Sequence, residues 1–244
     1  GTGGRAITDV AGHPALVTSF LPGRPVDDPG PSECAAGGAM LAAIHAQTAA
    51  FDGHRRNMLS LASWHHLFDQ CGDRLDEIAT GFQGELGRAL EAVSAGWPDT
   101  VLPWGVIHGD LFPDNIFFQR TGASDAAPTV SGVIDFFFAC SDMVAYDIAV
   151  AIASWTFDDQ GHYRQERTRA MLAGYDARRP LSAAEKAALP VLTQGAALRF
   201  TLTRAYDWLN PKPDAHIRPK DPLQMLPRLK LFLDSPDAIR DVLP

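Results

Sequence analysis

The 244-residue sequence predicts an α+β fold with a mostly helical body and a few short strands. Near the start, two apolar segments over residues 6–10 and 15–20 are separated by a turn over residues 11–14, which is typical of a strand pair. Apolar segments within residues 106–118 flank a polar loop, and another apolar strand follows over residues 132–136. Most of the remaining chain has apolar residues at helical spacing.

The predicted helices follow from this periodicity and from capping residues. The first covers residues 32–49, because Ser32 is a good N-cap with Glu33 in the first turn. Ser182 and Glu185 form a capping box at the start of a later helix. The other predicted helices cover residues 64–71, 75–93, 146–155, 166–175, 182–192, 195–208 and 223–233, and residues 119–129 are predicted to form a loop.

Composition excludes several classes of partner. The net charge of −8 and the lack of a basic stripe argue against binding to nucleic acid or to an anionic membrane. The three cysteines are far apart in the sequence, as expected for reduced residues of a cytoplasmic protein. Neither a long apolar run nor a signal peptide is recognisable. We expect an acidic cytoplasmic protein with one sizeable core, and the sequence does not fix its oligomeric state.

The loop within residues 106–118 contains the pattern H-x-D-x-x-x-x-N, and a second Asp ends the later strand. Transfer of a phosphoryl group from Mg²⁺-bound ATP needs a carboxylate that holds the acceptor hydroxyl and oxygen ligands for the metal. Asp110 lies at the bend of the loop and is predicted to be the catalytic base. Asn115 and Asp135 are predicted to be the Mg²⁺ ligands. The pattern therefore predicts a kinase-type phosphotransferase.

Neighbouring residues favour a small-molecule kinase over a protein kinase. Gly109 stands where protein kinases have Arg, and Asp135 is followed by Phe136 and Phe137 rather than by Phe-Gly. A metal-hydrolase interpretation of His108, Asp110 and Asp114 lacks a second group of His or Cys at ligand spacing. His108 is predicted to organise the loop, because kinases use the Asp as the base.

Further polar residues are predicted to support the loop or to bind the acceptor. His45 is predicted to brace the catalytic loop, and Asp147, near a helix N-terminus, to accept hydrogen bonds from the backbone of that loop. Arg199, Thr203 and Asp207 form a polar row at positions i, i+4 and i+8 of an otherwise apolar helix, and Arg204 lies beside them. Such a row suits an amino acid, because Arg binds a carboxylate and Asp an ammonium, but ion pairs within the lobe are an equal alternative. Asp114 is assigned to the same substrate group.

The start of the chain lacks one part of a kinase. The first lysine of the sequence is Lys186, so the strand lysine that contacts the phosphates of ATP in kinases is absent, and we expect an upstream part to be missing. Ser19, Phe20 and Leu21 are the predicted hinge, where backbone groups meet adenine.

These segments together resemble the aminoglycoside-phosphotransferase-like kinases, a protein-kinase-like family. Within that family, they closely resemble the homoserine kinases of the type found in many proteobacteria, over essentially the whole chain. The resemblance is carried by residues 108–118, 134–140, 145–149, 198–209, 15–23 and 220–222. It implies a helical C-terminal lobe over residues 23–244 and a remnant of the N-terminal β lobe with the hinge over residues 1–22.

The activity implied by the resemblance is transfer of the ATP γ-phosphate to the side-chain hydroxyl of L-homoserine, in threonine biosynthesis, with Mg²⁺ as cofactor. Because most of the upper lobe is not in the sequence, we expect this chain by itself to bind ATP poorly and to turn over little or not at all. Two alternatives stay open at this point. One is a kinase for another small alcohol such as choline, a sugar or an aminoglycoside, and the other is a non-catalytic binding module.

Overall fold

A computed structural model describes residues 7–119, 128–211 and 219–244 of the chain. It begins with an antiparallel hairpin of β1 (Ile7–Val10) and β2 (His13–Leu16). Ala11 and Gly12 have φ values of 52° and 82°, which two-residue hairpin turns of this type require. The second strand, predicted over residues 15–20, begins earlier, at His13, and ends at Leu16. The division into a remnant of the N-terminal lobe over residues 1–22 and a C-terminal lobe over residues 23–244 stays a prediction.

Two further strand pairs frame the polar loop. Strand β3 (Trp104–Ile107) pairs with β6 (Cys140–Met143), and β4 (Ile116–Gln119) pairs with β5 (Thr129–Val133), both antiparallel. The predicted strand over residues 132–136 ends earlier, at Val133. Residues 120–127, at the centre of the predicted loop over residues 119–129, lie outside the described residues.

The helical body surrounds these strands. Its helices are α1 (Pro31–Thr48), α2 (Leu61–Cys71), α3 (Leu75–Ile78), α4 (Phe82–Gly96), α5 (Val144–Trp155), α6 (Gln165–Asp176), α7 (Ala183–Leu209), α8 (Leu226–Asp234) and α9 (Asp237–Arg240). Short 3₁₀ turns lie at Gly72–Arg74 between α2 and α3 and at Pro222–Gln224 before α8. Two more lie between strands, at Pro113–Asn115 before β4 and at Phe136–Phe138 before β6. In the described part of the chain, none of the helices combines the length and the apolar character that a membrane crossing requires.

Several helix boundaries differ from the predicted ones. The N-cap of α1 is Gly30 rather than Ser32, and Pro31 occupies the first helical position, where its missing N–H costs nothing. The helix predicted over residues 75–93 is interrupted, because Gly81 adopts a φ of 79°. The two helices predicted over residues 182–192 and 195–208 form the single helix α7, which contains Pro190.

The predicted capping box at the start of α7 is confirmed. The Ser182 hydroxyl oxygen accepts a hydrogen bond from Glu185 N at 3.2 Å, and Glu185 Oε2 accepts one from Ser182 N at 2.9 Å. These bonds satisfy N–H groups that the first helical turn would otherwise leave unpaired.

The core lies around α5, whose twelve residues are all buried. Helix α5 packs on α7, α1 and α6, and it directly follows β6. Helices α1 and α6 approach each other so closely that a Cβ on Gly38 would collide with the Met171 carbonyl and one on Gly174 with the Ala35 carbonyl. The three cysteines, Cys34, Cys71 and Cys140, are free and buried. The polar loop after β3 thus rests on the most deeply buried part of the molecule.

Candidate active site

The loop that follows β3 turns sharply at Gly109, whose φ is 73°. A Cβ at this position would also lie 3.2 Å from the Phe138 carbonyl oxygen, so both the backbone conformation and the close approach favour glycine. The next residue, Asp110, stands at the bend, and the 3₁₀ turn at Pro113–Asn115 leads the chain into β4.

The Asp147 carboxylate binds the backbone of this loop. It is fully buried on the first turn of α5, where Oδ2 accepts a hydrogen bond from His108 N at 2.7 Å and Oδ1 accepts one from Gly109 N at 2.8 Å. His45 Nε2 lies 2.9 Å from Asp147 Oδ2. Burial by itself would raise the pKa of Asp147, but the hydrogen bonds from His45 and from the backbone of the loop hold it below its ordinary value.

His45 in turn has its own support from α6. Its Nδ1 lies 2.7 Å from the Tyr175 hydroxyl, which accepts a hydrogen bond from Arg179 Nη1 at 3.1 Å. With that oxygen accepting from Arg179, the Tyr175 hydroxyl proton is free to be donated to His45 Nδ1, which leaves Nε2–H to donate to Asp147. A buried chain of hydrogen bonds therefore runs from Arg179 to the backbone of the loop.

His108 joins the two halves of the site. Its Nδ1 accepts a hydrogen bond from Asp110 N at 3.2 Å, and its Nε2 donates to the Ile134 carbonyl at 2.9 Å. The Ile134 N–H donates to the Asn115 carbonyl at 2.9 Å. The loop is thereby tied to the segment that carries Asp135, and the buried imidazole is a structural link rather than a group open to a substrate.

Asp110, Asp114, Asn115 and Asp135 line one cavity of about 500 Å³. The amide nitrogen of Asn115 donates to the Asp110 carbonyl at 2.9 Å, so the amide oxygen is the atom left to bind a cation. Asp135 is exposed and lies beyond β5 with a φ of 63°. One carboxylate and one amide oxygen suit Mg²⁺, which takes few protein oxygens and completes its shell with phosphate and water oxygens. The donor set therefore fits the predicted cofactor.

Arg199 contacts the catalytic loop from α7. Its guanidinium is 4% exposed; Nη1 donates to the Gly109 carbonyl and Nη2 lies 3.7 Å from Asp110 Oδ1. The group also packs over the Phe200 ring, 4.4 Å from its centroid. Of the two predicted roles for this residue, an ion pair within the lobe describes these contacts better than a free carboxylate-binding fork.

These contacts set the protonation of Asp110. Burial raises the pKa of its carboxyl above the ordinary value, and the charge of Arg199 opposes that shift. The charge of Lys220 acts in the same direction as that of Arg199, whereas the charge of Asp135 adds to the rise. A carboxyl with a raised pKa is a stronger base at neutral pH than an ordinary Asp.

The other predicted acceptor-binding residues, Arg204 and Asp207, line the same cavity from α7. Thr203 of the predicted polar row also lines the cavity, together with residues to which the sequence assigned no role: Leu59, Leu67, Phe112, Phe138, Phe200, Tyr206 and Lys220. Lys220 belongs to a segment that carried the family resemblance, which was the one available signal for it. Apolar residues such as Phe112 carry no sequence signal that separates a cavity wall from a core.

The predicted hinge residues, Ser19, Phe20 and Leu21, do not line the cavity. Phe20 is 92% exposed, and the three residues follow β2 without continuing it. The chain is then fixed to the second hairpin, where Arg24 exchanges backbone hydrogen bonds of 3.2 and 2.9 Å with Phe118. A role of Ser19, Phe20 and Leu21 in nucleotide binding stays a prediction.

The chain is similar to a known protein family and to known kinases. The family model described as the phosphotransferase enzyme family matches residues 2–181. The homoserine kinase of Gluconobacter oxydans is 46% identical over 230 residues, which are 94% of this chain and 71% of that protein. The homoserine kinase of Xanthobacter autotrophicus is 46% identical over 238 residues, which are 98% of this chain and 71% of that protein.

Among solved structures, the aminoglycoside phosphotransferase from Alicyclobacillus acidocaldarius superposes with a TM-score of 0.62 at 17% identity. The match covers 97% of this chain and 72% of that one. At this identity the similarity concerns the fold, and it confirms the predicted protein-kinase-like architecture with its helical C-terminal lobe.

Proposed function

The chain belongs to the phosphotransferase enzyme family, and we propose that it is a homoserine kinase, which transfers the γ-phosphoryl group of ATP to the side-chain hydroxyl of L-homoserine. The observation that carries the proposal is that Asp110, Asn115 and Asp135 line one cavity that also presents both a cation and a carboxylate from α7. Relatives named homoserine kinase at 46% identity support the choice of acceptor and the role in threonine biosynthesis.

Asp110 is the catalytic base in this proposal. Its carboxylate accepts a hydrogen bond from the acceptor hydroxyl and holds the oxygen in line with the γ-phosphorus. As the new O–P bond forms and the bond to the leaving ADP oxygen breaks, the hydroxyl proton passes to Asp110. The pKa of Asp110, raised by burial, favours that transfer.

The Asn115 amide oxygen and the Asp135 carboxylate would hold Mg²⁺. When bound, the ion neutralises charge on the phosphate oxygens of ATP. The two ligands come from segments that the Ile134–Asn115 backbone hydrogen bond and the His108 side chain keep together. The protein thereby supplies a preorganised pair of oxygen donors.

The acceptor carries both an ammonium and a carboxylate. Asp114 and Asp207 supply negative charge to the cavity, which suits the ammonium, and Arg204 supplies positive charge, which suits the carboxylate. A purely polycationic acceptor such as an aminoglycoside would gain nothing from the cationic side of this cavity.

The test is ADP release by the complete gene product with Mg²⁺ and ATP. L-homoserine is compared with L-serine, choline and an aminoglycoside, and Asp110→Asn serves as the inactive control. We expect turnover selective for L-homoserine and a loss of at least about a hundredfold in kcat for Asp110→Asn, because the general base is removed. Strong turnover of another acceptor would discard the homoserine assignment, and full activity of Asp110→Asn would discard the assigned base.

A further inference from the structure

The cavity contains more positive charge than the catalytic step uses. The molecule has a net charge of −8, yet Arg199, Arg204 and Lys220 all line this one cavity. Arg199 is engaged with Gly109 and Asp110. In the part of the chain that the structure describes, neither Arg204 nor Lys220 forms an ion pair with a carboxylate. Both cations are therefore available to an anionic group of a ligand in this cavity.

Arg204 has few interactions for a half-buried guanidinium. Its Nη1 donates to the Asp221 carbonyl and to Gln224 Oε1, each at a long distance of 3.4 Å. Burial lowers the pKa of Arg204, with the nearby charges of Asp221 and Asp110 opposing that shift. Because a guanidinium carries five N–H donors, most of its donors remain available to a ligand.

Lys220 directly precedes Asp221, the residue whose carbonyl accepts a hydrogen bond from Arg204. Asp221 Oδ1 accepts a hydrogen bond from Leu223 N at 2.8 Å, which fixes the start of the 3₁₀ turn at Pro222–Gln224. The Asp221 carbonyl is also the acceptor for Arg204. The Lys220 ammonium lies 5.6 Å from the centroid of the Phe112 ring, a residue of the catalytic loop. Lys220 therefore faces the catalytic loop, while its neighbour Asp221 contacts Arg204 of α7.

We propose that Arg204 and Lys220 form the subsite for the α-carboxylate of the acceptor and so make the enzyme select an amino acid over the corresponding amino alcohol. The inference rests on the proposed function. The γ-phosphate of ATP is the other oxyanion that could bind here. The carboxylate is favoured because Arg204 lies on α7 together with Thr203 and Asp207, and it donates to the carbonyl of Asp221, the residue after Lys220. The proposed Mg²⁺ ligands come from elsewhere, since Asn115 lies in the 3₁₀ turn before β4 and Asp135 lies beyond β5.

The discriminating experiment compares two acceptors in the complete gene product. L-homoserine and 3-amino-1-propanol share the hydroxyl and the amine, and only L-homoserine has the carboxylate. We expect Lys220→Met and Arg204→Met each to reduce the preference in kcat/KM for L-homoserine over 3-amino-1-propanol by about tenfold to a hundredfold, since each removes a charged hydrogen bond. The KM for ATP is expected to stay unchanged, and Lys220→Arg to retain most of the preference.

Lys230→Met is the matched control. Lys230 is a surface lysine of α8 that pairs with Glu85 at 2.7 Å, outside the cavity, and its removal is expected to leave both acceptors unaffected. Thermal unfolding of each variant establishes that it is folded. An unchanged preference in both Lys220→Met and Arg204→Met would overturn the subsite, as would equal losses on both acceptors with a raised KM for ATP, which would assign the cations to phosphate.

A calorimetric titration separates failure of this subsite from failure of the proposed function. If the wild type phosphorylates L-homoserine but its preference survives both substitutions, the function stands and the subsite is wrong. If the wild type does not phosphorylate L-homoserine, titration of L-homoserine into wild type and Lys220→Met decides. Binding that weakens in the variant supports the subsite, and absent or unweakened binding overturns it.

Discussion

At the scale of single residues, Arg199 is a buried cation that contacts the loop of the proposed catalytic base, Asp110. Its guanidinium is paired with the Gly109 carbonyl and faces Asp110 from α7. We expect Arg199→Met to lower kcat by about tenfold to a hundredfold, because a charge-assisted contact that positions the base is lost. The KM for L-homoserine is expected to change little.

The pH profile distinguishes this positioning role from simple destabilisation. The positive charge of Arg199 lowers the pKa of Asp110, against the larger rise caused by burial. Since the base acts when deprotonated, removal of Arg199 is expected to move the acid limb of the kcat profile to higher pH. Arg199→Lys keeps the charge but loses the planar fork, so its limb should move less. An unmoved limb in Arg199→Met would contradict the role.

Asp147 is expected to be worth more to stability than any exposed ion pair. Replacing it with Asn keeps the size but turns one acceptor oxygen into a donor facing the N–H groups of His108 and Gly109. We expect Asp147→Asn to lower the free energy of unfolding by about 3 kcal/mol. Asp237→Asn, in a surface pair with Arg240, should cost less than about 1 kcal/mol. Urea unfolding measures both, and equal losses would contradict the prediction.

The same carboxylate makes stability depend on pH. The folded-state pKa of Asp147 lies below its ordinary value, so the folded state favours the charged form. Its contribution is therefore present above the unfolded pKa of about 3.9 and is lost as the pH falls through the folded pKa. We expect the free energy of unfolding of the wild type to decline more steeply below about pH 4 than that of Asp147→Asn. Parallel declines in urea titrations would rule this out.

At the scale of elements, the contact between α1 and α6 depends on two glycines. Gly174→Ala would force the backbones apart, because its Cβ has no room beside the Ala35 carbonyl. We expect this change to destabilise the protein by about 2 kcal/mol or more. Gly84→Ala, on the exposed face of α4 with Arg88 at 3.5 Å, should instead stabilise by about 0.5–1 kcal/mol. Opposite signs in thermal unfolding are the expected result.

The elements themselves were mostly predictable from the sequence, and the differences have local causes. The capping box at Ser182 involves only neighbouring residues, so it could be predicted. The break at Gly81 depends on a left-handed conformation that the apolar spacing of residues 75–93 does not reveal. The continuity of α7 through Pro190 depends on packing, which outweighs the local preference of proline to end a helix.

At the scale of the whole molecule, the candidate site was predictable where its residues are close in sequence. Asp110 and Asn115 lie in one loop, and their spacing in the sequence is enough to predict them as a candidate base and a candidate Mg²⁺ ligand. Lys220 lies more than a hundred residues away in sequence, and only the tertiary fold brings it to Phe112. The side of α7 from which Arg199 meets the loop is likewise set by helix packing. The sequence therefore identified Arg199 as a polar residue of this helix but left open whether it binds the acceptor or forms an ion pair within the lobe.

The thiols provide a probe of the whole fold. All three cysteines are buried, and burial raises the pKa of Cys34 to about 12 and that of Cys140 to about 11. We expect a thiol-specific dye at about pH 8 to modify none of them in the folded protein and all three in urea, because buried, protonated thiols are unreactive. Ser235→Cys, at an exposed position, should react at once. Rapid labelling of the wild type would show that the body opens locally.

The backbone at Asp135 limits which amino acids position 135 can accept. Its φ of 63° is a conformation that only glycine adopts freely and that Asp and Asn tolerate better than other residues. Glycine would adopt this conformation without strain but would remove the carboxylate. Glu would keep the negative charge but adopts a positive φ less readily than Asp does. An evolving sequence can therefore change this residue toward greater stability only by giving up the proposed metal ligand, and toward another acid only by giving up stability.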